Sequence, residues 1–309
     1  MHVLVHGTGA VGGYFGALLA RGGHDVTLVA RGKNLDALRA QGLRVLLGDS
    51  AQPLVVQPIR AVERPADAPR ADLVLVCVKS YDTRAAVEAL RPVVDRTTIV
   101  LSLQNGVENE TILAEGLGLP PLLVGLTRIG VELVAPATVL YSGRGEILFG
   151  EPDGTESARA RTLAEALAAA GIPHQLRRDV LVAAWEKLAW NAGFNAVTTL
   201  ADATIREVLA LPACRDLVVR AMEEVDAVAT ALDIPVRRRR TQAVLDDSLS
   251  GLPDFPTSML QDRRRGRRLE HDAITGAVVR AAARSGVAVP VNRTLLALLE
   301  RLDPHSRSN

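Results

Sequence analysis

The chain opens with a pattern that few folds accommodate. His2-Val3-Leu4-Val5-His6 is a short apolar run. Gly7-Thr8-Gly9-Ala10-Val11-Gly12 follows without a gap, and an apolar stretch from Tyr14 to Ala20 ends at Gly22-Gly23. Strand, glycine turn and helix in that order are the parts of a dinucleotide-binding unit. Gly7 permits the tight turn, Gly9 lets the backbone come close to a pyrophosphate, and Gly12 lets the helix pack against the strand. The diphosphate would rest on N–H groups of residues 7–12, at the positive end of the helix dipole. A glycine-rich turn alone is a weak signal, and its flanking elements give it weight. The second strand, Asp25-Val26-Thr27-Leu28-Val29-Ala30, bears on which dinucleotide. Sites that prefer NAD carry Asp or Glu at the end of this strand, against the ribose 2′-hydroxyl. Here Val29 and Ala30 fill that end and Arg31-Gly32-Lys33-Asn34 follows. Arg31 can clamp a 2′-phosphate with paired donors, so NADP(H) is the expected cofactor. The alternative is that Arg31 and Lys33 are solvated loop cations.

The pattern beyond this unit gives the fold class. A helix over residues 35–41 and short strands over 43–47 and 54–56 come next. Asp72-Leu73-Val74-Leu75-Val76-Cys77-Val78 is continuously apolar, as a strand buried on both faces of a parallel sheet should be. A helix over 83–90, a strand over 98–101 and a strand over 122–129 follow. Residues 139–141 and 146–149, joined by Ser142-Gly143-Arg144-Gly145, have the form of a hairpin. Residues 155–170 are an alanine-rich helix ended by Gly171-Ile172-Pro173. From about Asp179 the period is helical, with breaks at Leu211-Pro212, Ile234-Pro235, Gly251-Leu252-Pro253 and Gly286. Alternating α/β followed by all-α means two domains. A Rossmann-type dinucleotide-binding domain is expected over 1–178 and a helical substrate-binding domain over 179–309.

Composition narrows the partners. The chain has 309 residues, 48% of them hydrophobic, enough for two cores, and its formal net charge is +1. No global field points to nucleic acid, and aromatic residues are only 3% of the chain, which argues the same way. No apolar span is long enough to cross a bilayer, and residue 1 leads directly into the first strand, so no signal peptide is expected. Cys77 and Cys214 suit neither a zinc site nor a disulfide framework, and the six histidines show no metal-ligand spacing. A cytoplasmic enzyme without a metal is expected, acting on a small molecule, with a homodimer left open.

Several polar residues stand where chemistry would need them. Val78-Lys79-Ser80 ends one strand of the parallel sheet and Leu103-Gln104-Asn105-Gly106 the next. Ligands of open parallel sheets bind beyond the carboxyl ends of the strands, so Lys79 and Asn105 are candidates. A solvated strand-end cation and an ordinary Asn-Gly turn are the plainer readings. The helix over 180–199 is apolar nearly all round except for Lys187, Asn191 and Asn195. At spacing four they form one stripe. A desolvated lysine there would shed charge readily and could donate a proton or polarise a carbonyl. The plainer reading is a snorkelling lysine beside two interhelical asparagines. Ser258 and Gln261 in Phe255-Pro256-Thr257-Ser258-Met259-Leu260-Gln261-Asp262 fit a capping box, with capping as the structural role of Ser258 and a carboxylate ligand as the functional one. Glu270 lies twelve residues on, and Gly266 within the run 263–268 is a break that would let both residues face one site. The basic runs 237–240 and 263–268 are solvated helix faces, or the second of them draws in an anion.

This constellation resembles the ketopantoate reductase family along nearly the whole chain. The more specific matches are Gln104-Asn105-Gly106, Trp185-Glu186-Lys187-Leu188-Ala189-Trp190-Asn191, and Ser258-Met259-Leu260-Gln261-Asp262 followed by Glu270-His271-Asp272. The resemblance implies a Rossmann domain followed by a helical domain and NADPH-dependent reduction of 2-dehydropantoate to (R)-pantoate, for pantothenate and coenzyme A synthesis. It implies Lys187 as proton donor, Glu270 as the carboxylate that holds the substrate hydroxyl, and Ser258 as a contact to the substrate carboxylate. Asn105, Asn191 and Asn195 would line the site. Gly7, Thr8, Gly9, Ala10, Val11, Gly12, Arg31 and Lys79 would contact the cofactor, with Asn105 and Glu270 reaching it too. The chain departs from the family pattern at Leu269, where Thr is usual, at Thr275, where Asn is common, and over Arg128-Ile129-Gly130-Val131-Glu132. These changes surround the substrate end, so another 2-oxo acid is the alternative substrate. A non-catalytic NADP(H)-binding sensor is the alternative of a different class.

Overall fold

Five short strands with almost no polar inward positions build the first sheet. In the computed structural model, which describes residues 1–48, 52–236 and 256–305, they are β1 (His2–His6), β2 (Asp25–Val29), β5 (Arg60–Val62), β6 (Leu73–Val76) and β7 (Ile99–Ser102). They run parallel in the order β5-β2-β1-β6-β7. Successive residues of one strand enter different cores: Val3, Val5, Leu73, Leu75, Ile99 and Leu101 join one cluster, and Leu4, Val74, Val76 and Val100 join another. That is the two-sided burial the apolar run 72–78 calls for, worth about 1.5–3 kcal/mol for each Val or Leu side chain removed from water. One face is covered by α1 (Ala10–Arg21) and α2 (Gly32–Gln41), whose core α5 (Ala158–Ala169) also joins, and the other by α3 (Thr83–Leu90) and α4 (Asn109–Leu117). The strand order reverses between β1 and β6, so the switch point falls at the ends that carry Gly7 and Lys79.

A second sheet has the order β10-β9-β3-β4, with β8 paired to β9. It comprises β3 (Leu43–Leu47), β4 (Leu54–Val56), β8 (Val124–Ala135), β9 (Thr138–Gly150) and β10 (His174–Leu176). Here the structure corrects the sequence reading. Ser142-Gly143-Arg144-Gly145 does not join two strands. It lies within the single strand β9, whose hairpin partner is β8, and the reversal occurs at residues 136–137. Gly143 and Gly145 have φ of 119° and 155°, and the β8–β9 register shifts between Arg128 and Val131, opposite Gly143. Glycine at positive φ serves a bulge as well as a turn, and in this ribbon it absorbs bending.

The rest is helical: α6 (Val180–Trp190), α7 (Ala196–Ala201), α8 (Ile205–Ala210), α9 (Pro212–Ala231), α10 (Ser258–Arg264), α11 (Ala277–Ser285) and α12 (Pro290–Leu302). Their apolar faces share one core, with Phe194, Val218, Met222, Val225, Val278 and Leu299 buried in it. Two wide turns with π-type hydrogen bonding interrupt the helical ladder, at Asn191–Asn195 and at Asp272–Gly276. The stretch 180–199 is therefore not one uniform α-helix. Gly193 makes the first wide turn compatible with close packing on α9, since a Cβ there would lie 2.9 Å from Met222 Cγ and 3.1 Å from the Val218 carbonyl.

By contacts the chain divides into two units, Met1–Gln104 with Asn109–Val180, and Asn105–Glu108 with Leu181–Asn309. The change from alternating to helical pattern marks the later junction. Nothing in the pattern marks the four-residue excursion at Asn105–Glu108. The basic run 237–240, the break at Gly251-Leu252-Pro253, Phe255 and the end of the polar tail beyond residue 305 lie outside the described residues.

Candidate active site

The turn after β1 demands glycine at two places and leaves space at a third. Gly7 has φ +100°, and a Cβ there would lie 2.5 Å from the backbone nitrogen of Val78. A Cβ on Gly12 would lie 2.4 Å from the carbonyl oxygen of Gly7 and 2.9 Å from Val5. A Cβ on Gly9 would meet nothing within 4 Å, so this side of the turn is open. α1 starts at Ala10 with no side-chain cap from Gly9 and no acidic residue in its first turn. Nothing there competes with or repels an anion at Ala10, Val11 and Gly12, and the cradle fits a diphosphate. Thr8 has a different task. Its hydroxyl donates to the Val29 carbonyl at 2.9 Å, and its own carbonyl accepts from Asn34 Nδ2 at 2.7 Å. Asn34 Oδ1 accepts in turn from the backbone N–H of Ala137 at 2.7 Å. Asn34 thus ties the glycine turn to the β8–β9 reversal, a role with no sequence signal beyond its place in a loop.

Arg31 stands at the start of α2, exposed, and lines a cavity of about 660 Å³ with Glu63, Arg64, Pro65, Asp67 and Pro92 among others. Arg64 donates to both carboxylate oxygens of Asp67, at 3.1 and 2.7 Å, so Arg31 is the cation of this wall without that partner. Just behind, His6 is buried with no partner for Nδ1. Burial first, and the positive charge of Arg31 second, pull its pKa down to about 4. The imidazole is neutral at pH 7.

Lys79 is half-buried and leads into the short turn Ser80–Asp82. This loop is fastened to the loop after β7 by buried side chains. Thr83 Oγ1 donates to the Ser80 carbonyl at 2.8 Å, Gln104 Nε2 donates to Thr83 Oγ1 at 2.9 Å, and Ser102 Oγ donates to Gln104 Oε1 at 3.1 Å. Thr83 and Ser102 belong to no motif that the sequence displays. A buried polar residue flanking a strand-end motif was the available sign.

The helical unit holds the remaining candidates. Asn105 Nδ2 donates to Glu270 Oε2 at 3.2 Å, bringing together residues 165 apart in sequence. Glu270 is only 6% exposed. Lys187, in the last turn of α6, is half-buried rather than enclosed, whereas Asn191 and Asn195 are buried. Both polar atoms of the Asn195 amide are out of contact with solvent and have no hydrogen-bond partner. An unpaired buried amide is costly, about 1–3 kcal/mol, so this position is held by something other than its own satisfaction.

Ser258 is not the cap of its helix. Thr257 is: its hydroxyl accepts from the Leu260 N–H, while Gln261 donates to the Pro256 carbonyl at 3.0 Å. Ser258 is the first helical residue and is exposed, leaving its hydroxyl outside the capping arrangement. α10 stops at Arg264, and Gly266 turns the chain at φ +63°, so the break expected in the run 263–268 is present. Within that run Arg264 pairs with Asp202 at 2.8 Å and Arg267 lies 3.9 Å from Asp262. Leu269 cannot cap as a threonine would. Its backbone N–H donates instead to Asp303 Oδ2 at 3.3 Å, and His271 lies 3.5 Å from the same oxygen. Asp303 therefore steadies the backbone just before Glu270, while the His271 ring lies beside the same carboxylate with no hydrogen bond from Nδ1. No cluster of metal-ligating side chains occurs among the described residues, and no helix among them is long and apolar enough to cross a membrane.

A glycine cradle on a parallel sheet, in one chain with a helical unit that carries Lys187, Asn191 and an Asn105–Glu270 pair, defines a class: oxidoreductases that use a nicotinamide dinucleotide. The family model described as ketopantoate reductase PanE/ApbA matches residues 3–154, and that described as ketopantoate reductase PanE/ApbA C terminal matches residues 179–303. The chain belongs to the ketopantoate reductase family. A 2-dehydropantoate 2-reductase of Halobacterium salinarum is 36% identical over 97% of this chain and 98% of its own length. The crystal structure of a PanE/ApbA family ketopantoate reductase from Ralstonia eutropha JMP134 has a TM-score of 0.90 at 33% identity, covering 99% of this chain and 100% of that one. The ternary structure of D-mandelate dehydrogenase with NADH and anilino(oxo)acetate has a TM-score of 0.90 over 98% of both chains, and at 22% identity this is a likeness of fold. The chain is accordingly an oxidoreductase acting on a 2-oxo acid.

Proposed function

We propose that the protein reduces 2-dehydropantoate to (R)-pantoate with NADPH, in the cytoplasmic synthesis of pantothenate and coenzyme A. The observation that carries this reading is the Asn105–Glu270 contact, because it joins the two motifs that most resemble the family's substrate end. Gly7 to Gly12 would hold the diphosphate and Arg31 the 2′-phosphate. Bound NADPH supplies the hydride. Everything else falls to the chain. Reduction at C2 leaves negative charge on oxygen, which needs a donor nearby. Lys187 polarises that carbonyl and then gives it a proton, with Asn191, one turn on, orienting the ammonium group. Glu270 accepts from the substrate hydroxyl, Asn105 holds Glu270 in place, and the free hydroxyl of Ser258 receives the carboxylate.

The second reading is a different 2-oxo acid on the same scaffold. It is favoured by Thr275, which is buried with no partner for its hydroxyl and stands where the family commonly has Asn. NADPH oxidation in a panel of 2-oxo acids separates the two. Ketopantoate should give the highest kcat/KM. A preference for another acid would install the second reading, and no turnover with any acid would favour a binding protein.

A further inference from the structure

The four residues Asn105–Glu108 leave the first unit and lie against the turn Asp272–Gly276. Three observations describe how they are held. Gly106 has φ +106°, and a Cβ there would lie 2.6 Å from the carbonyl oxygen of Ala273, so the two backbones touch. Arg280, on α11, donates through Nε and Nη2 to Glu108 Oε2 at 3.1 and 2.7 Å, and through Nη1 to Asp272 Oδ1 at 2.6 Å. Its Nη2 also reaches the Asp272 carbonyl at 2.9 Å. Gly276 makes room for this arrangement, since a Cβ there would lie 2.8 Å from Asp272 Oδ1 and 3.1 Å from Arg280 Nη1.

We propose that Arg280 is a positioning residue for the substrate end. By gripping Glu108 and Asp272 together it holds the 105–108 loop on the 272–276 turn, and so fixes the contact between Asn105 and Glu270. The hydrogen bonds of Arg280 go to Glu108 and Asp272, so it acts through the backbone that follows Asn105 and Glu270. The planar guanidinium is suited to this because it binds two carboxylates and a carbonyl in fixed directions, which an ammonium group cannot do. An isolated surface ion pair would contribute little. Three acceptors on one guanidinium, against a backbone contact that only glycine permits, make a geometric constraint.

The inference rests on Asn105 and Glu270 receiving the substrate. The test compares Arg280→Ala and Arg280→Lys in the natural chain and in an Asn105→Ala background, by steady-state kinetics with NADPH and ketopantoate, thermal melting, and amide hydrogen exchange. Arg280→Ala should raise the KM for ketopantoate on the order of tenfold, the scale of a modest misplacement, with the KM for NADPH within about twofold and melting little changed. Arg280→Lys should recover part of the loss. In the Asn105→Ala background the effect should shrink to less than about twofold, because the two changes remove one interaction. Amides 105–108 should exchange faster in Arg280→Ala while those of β1 and α1 do not. A tenfold loss that persists without Asn105 would overturn the proposal, as would a lower melting temperature with an unchanged ketopantoate KM. If the unaltered enzyme does not turn over ketopantoate, the proposed function fails separately. Hydrogen exchange then decides alone, and unchanged exchange at 105–108 overturns the clamp.

Discussion

His6 offers a sharp test of the electrostatics at the glycine turn. In the folded chain its pKa is about 4, against 6.5 for the free imidazole. Burial is the main cause and Arg31 the second. As pH falls below 6.5 the unfolded chain takes up this proton while the folded chain resists it. Stability is therefore fully present above 6.5, is lost progressively down to about 4, and changes no further below that on account of this residue. The difference of 2.5 units at 1.36 kcal/mol each comes to about 3 kcal/mol. That is a large part of the 5–15 kcal/mol that holds a typical domain together, roughly. Replacing His6→Leu keeps the side chain's bulk, removes the proton site and removes the unpartnered Nδ1. Urea denaturation of both proteins, between about pH 7 and about pH 4, isolates the term. The natural chain should lose about 3 kcal/mol more than the variant over that range. His271, whose pKa is also lowered by burial, destabilises both proteins in the same direction and cancels in the comparison. Equal pH dependence of the two proteins would refute the reasoning, as would a His6 resonance that titrates near its ordinary value.

Three further outcomes are expected. Arg31→Ala should raise the KM for NADPH on the order of tenfold, the scale of a lost charge-assisted hydrogen bond at an exposed site, and leave NADH use nearly untouched; equal use of both cofactors by the unaltered protein would argue against the 2′-phosphate role. Lys187→Ala should lower kcat on the order of 10²-fold, with the melting temperature almost constant because the side chain is half-buried; near-normal turnover would remove Lys187 as proton donor. Gly12→Ala would drive a Cβ to 2.4 Å from the Gly7 carbonyl. It should cost about 1–3 kcal/mol of stability and abolish NADPH binding, measured by melting with and without cofactor, whereas an unshifted melting temperature and intact binding would count against the close-packing role.

What the sequence discloses depends on how local the cause is. The conformational demands on Gly7 and Gly12 are decided within a few residues of each glycine, and the tight turn and the close packing expected of them are the geometry found, with open space beside Gly9. The buried strands are equally legible, since Leu73-Val74-Leu75-Val76 has no polar side to turn outward. Ser142-Gly143-Arg144-Gly145 misleads because a positive φ at glycine is common to turns and bulges, and only the partner strand tells them apart. Ser258 and Thr257 are neighbours with the same capping chemistry, and the entry angle of the chain chooses between them. The Lys187 stripe is visible in the period, yet the wide turn at Asn191–Asn195 is not, because Gly193 earns its place against α9, a later helix. The Asn105–Glu270 contact is legible only through resemblance to a family. Arg280 has no signal in its own neighbourhood, because one of its partners lies 172 residues away.

The excursion of Asn105–Glu108 sets a rule for recombining this chain with its relatives. A splice at residue 181 looks natural, since the pattern changes there, but it transfers only part of the helical unit. The loop that seats Gly106 on Ala273 and offers Glu108 to Arg280 stays behind with the other parent. A chimera made that way asks a foreign tetrapeptide to fit a turn it was not selected with. Grafts that carry residues 105–108 along with the helical part should keep the parent's substrate preference, and those that leave them behind should lose it even when both halves fold.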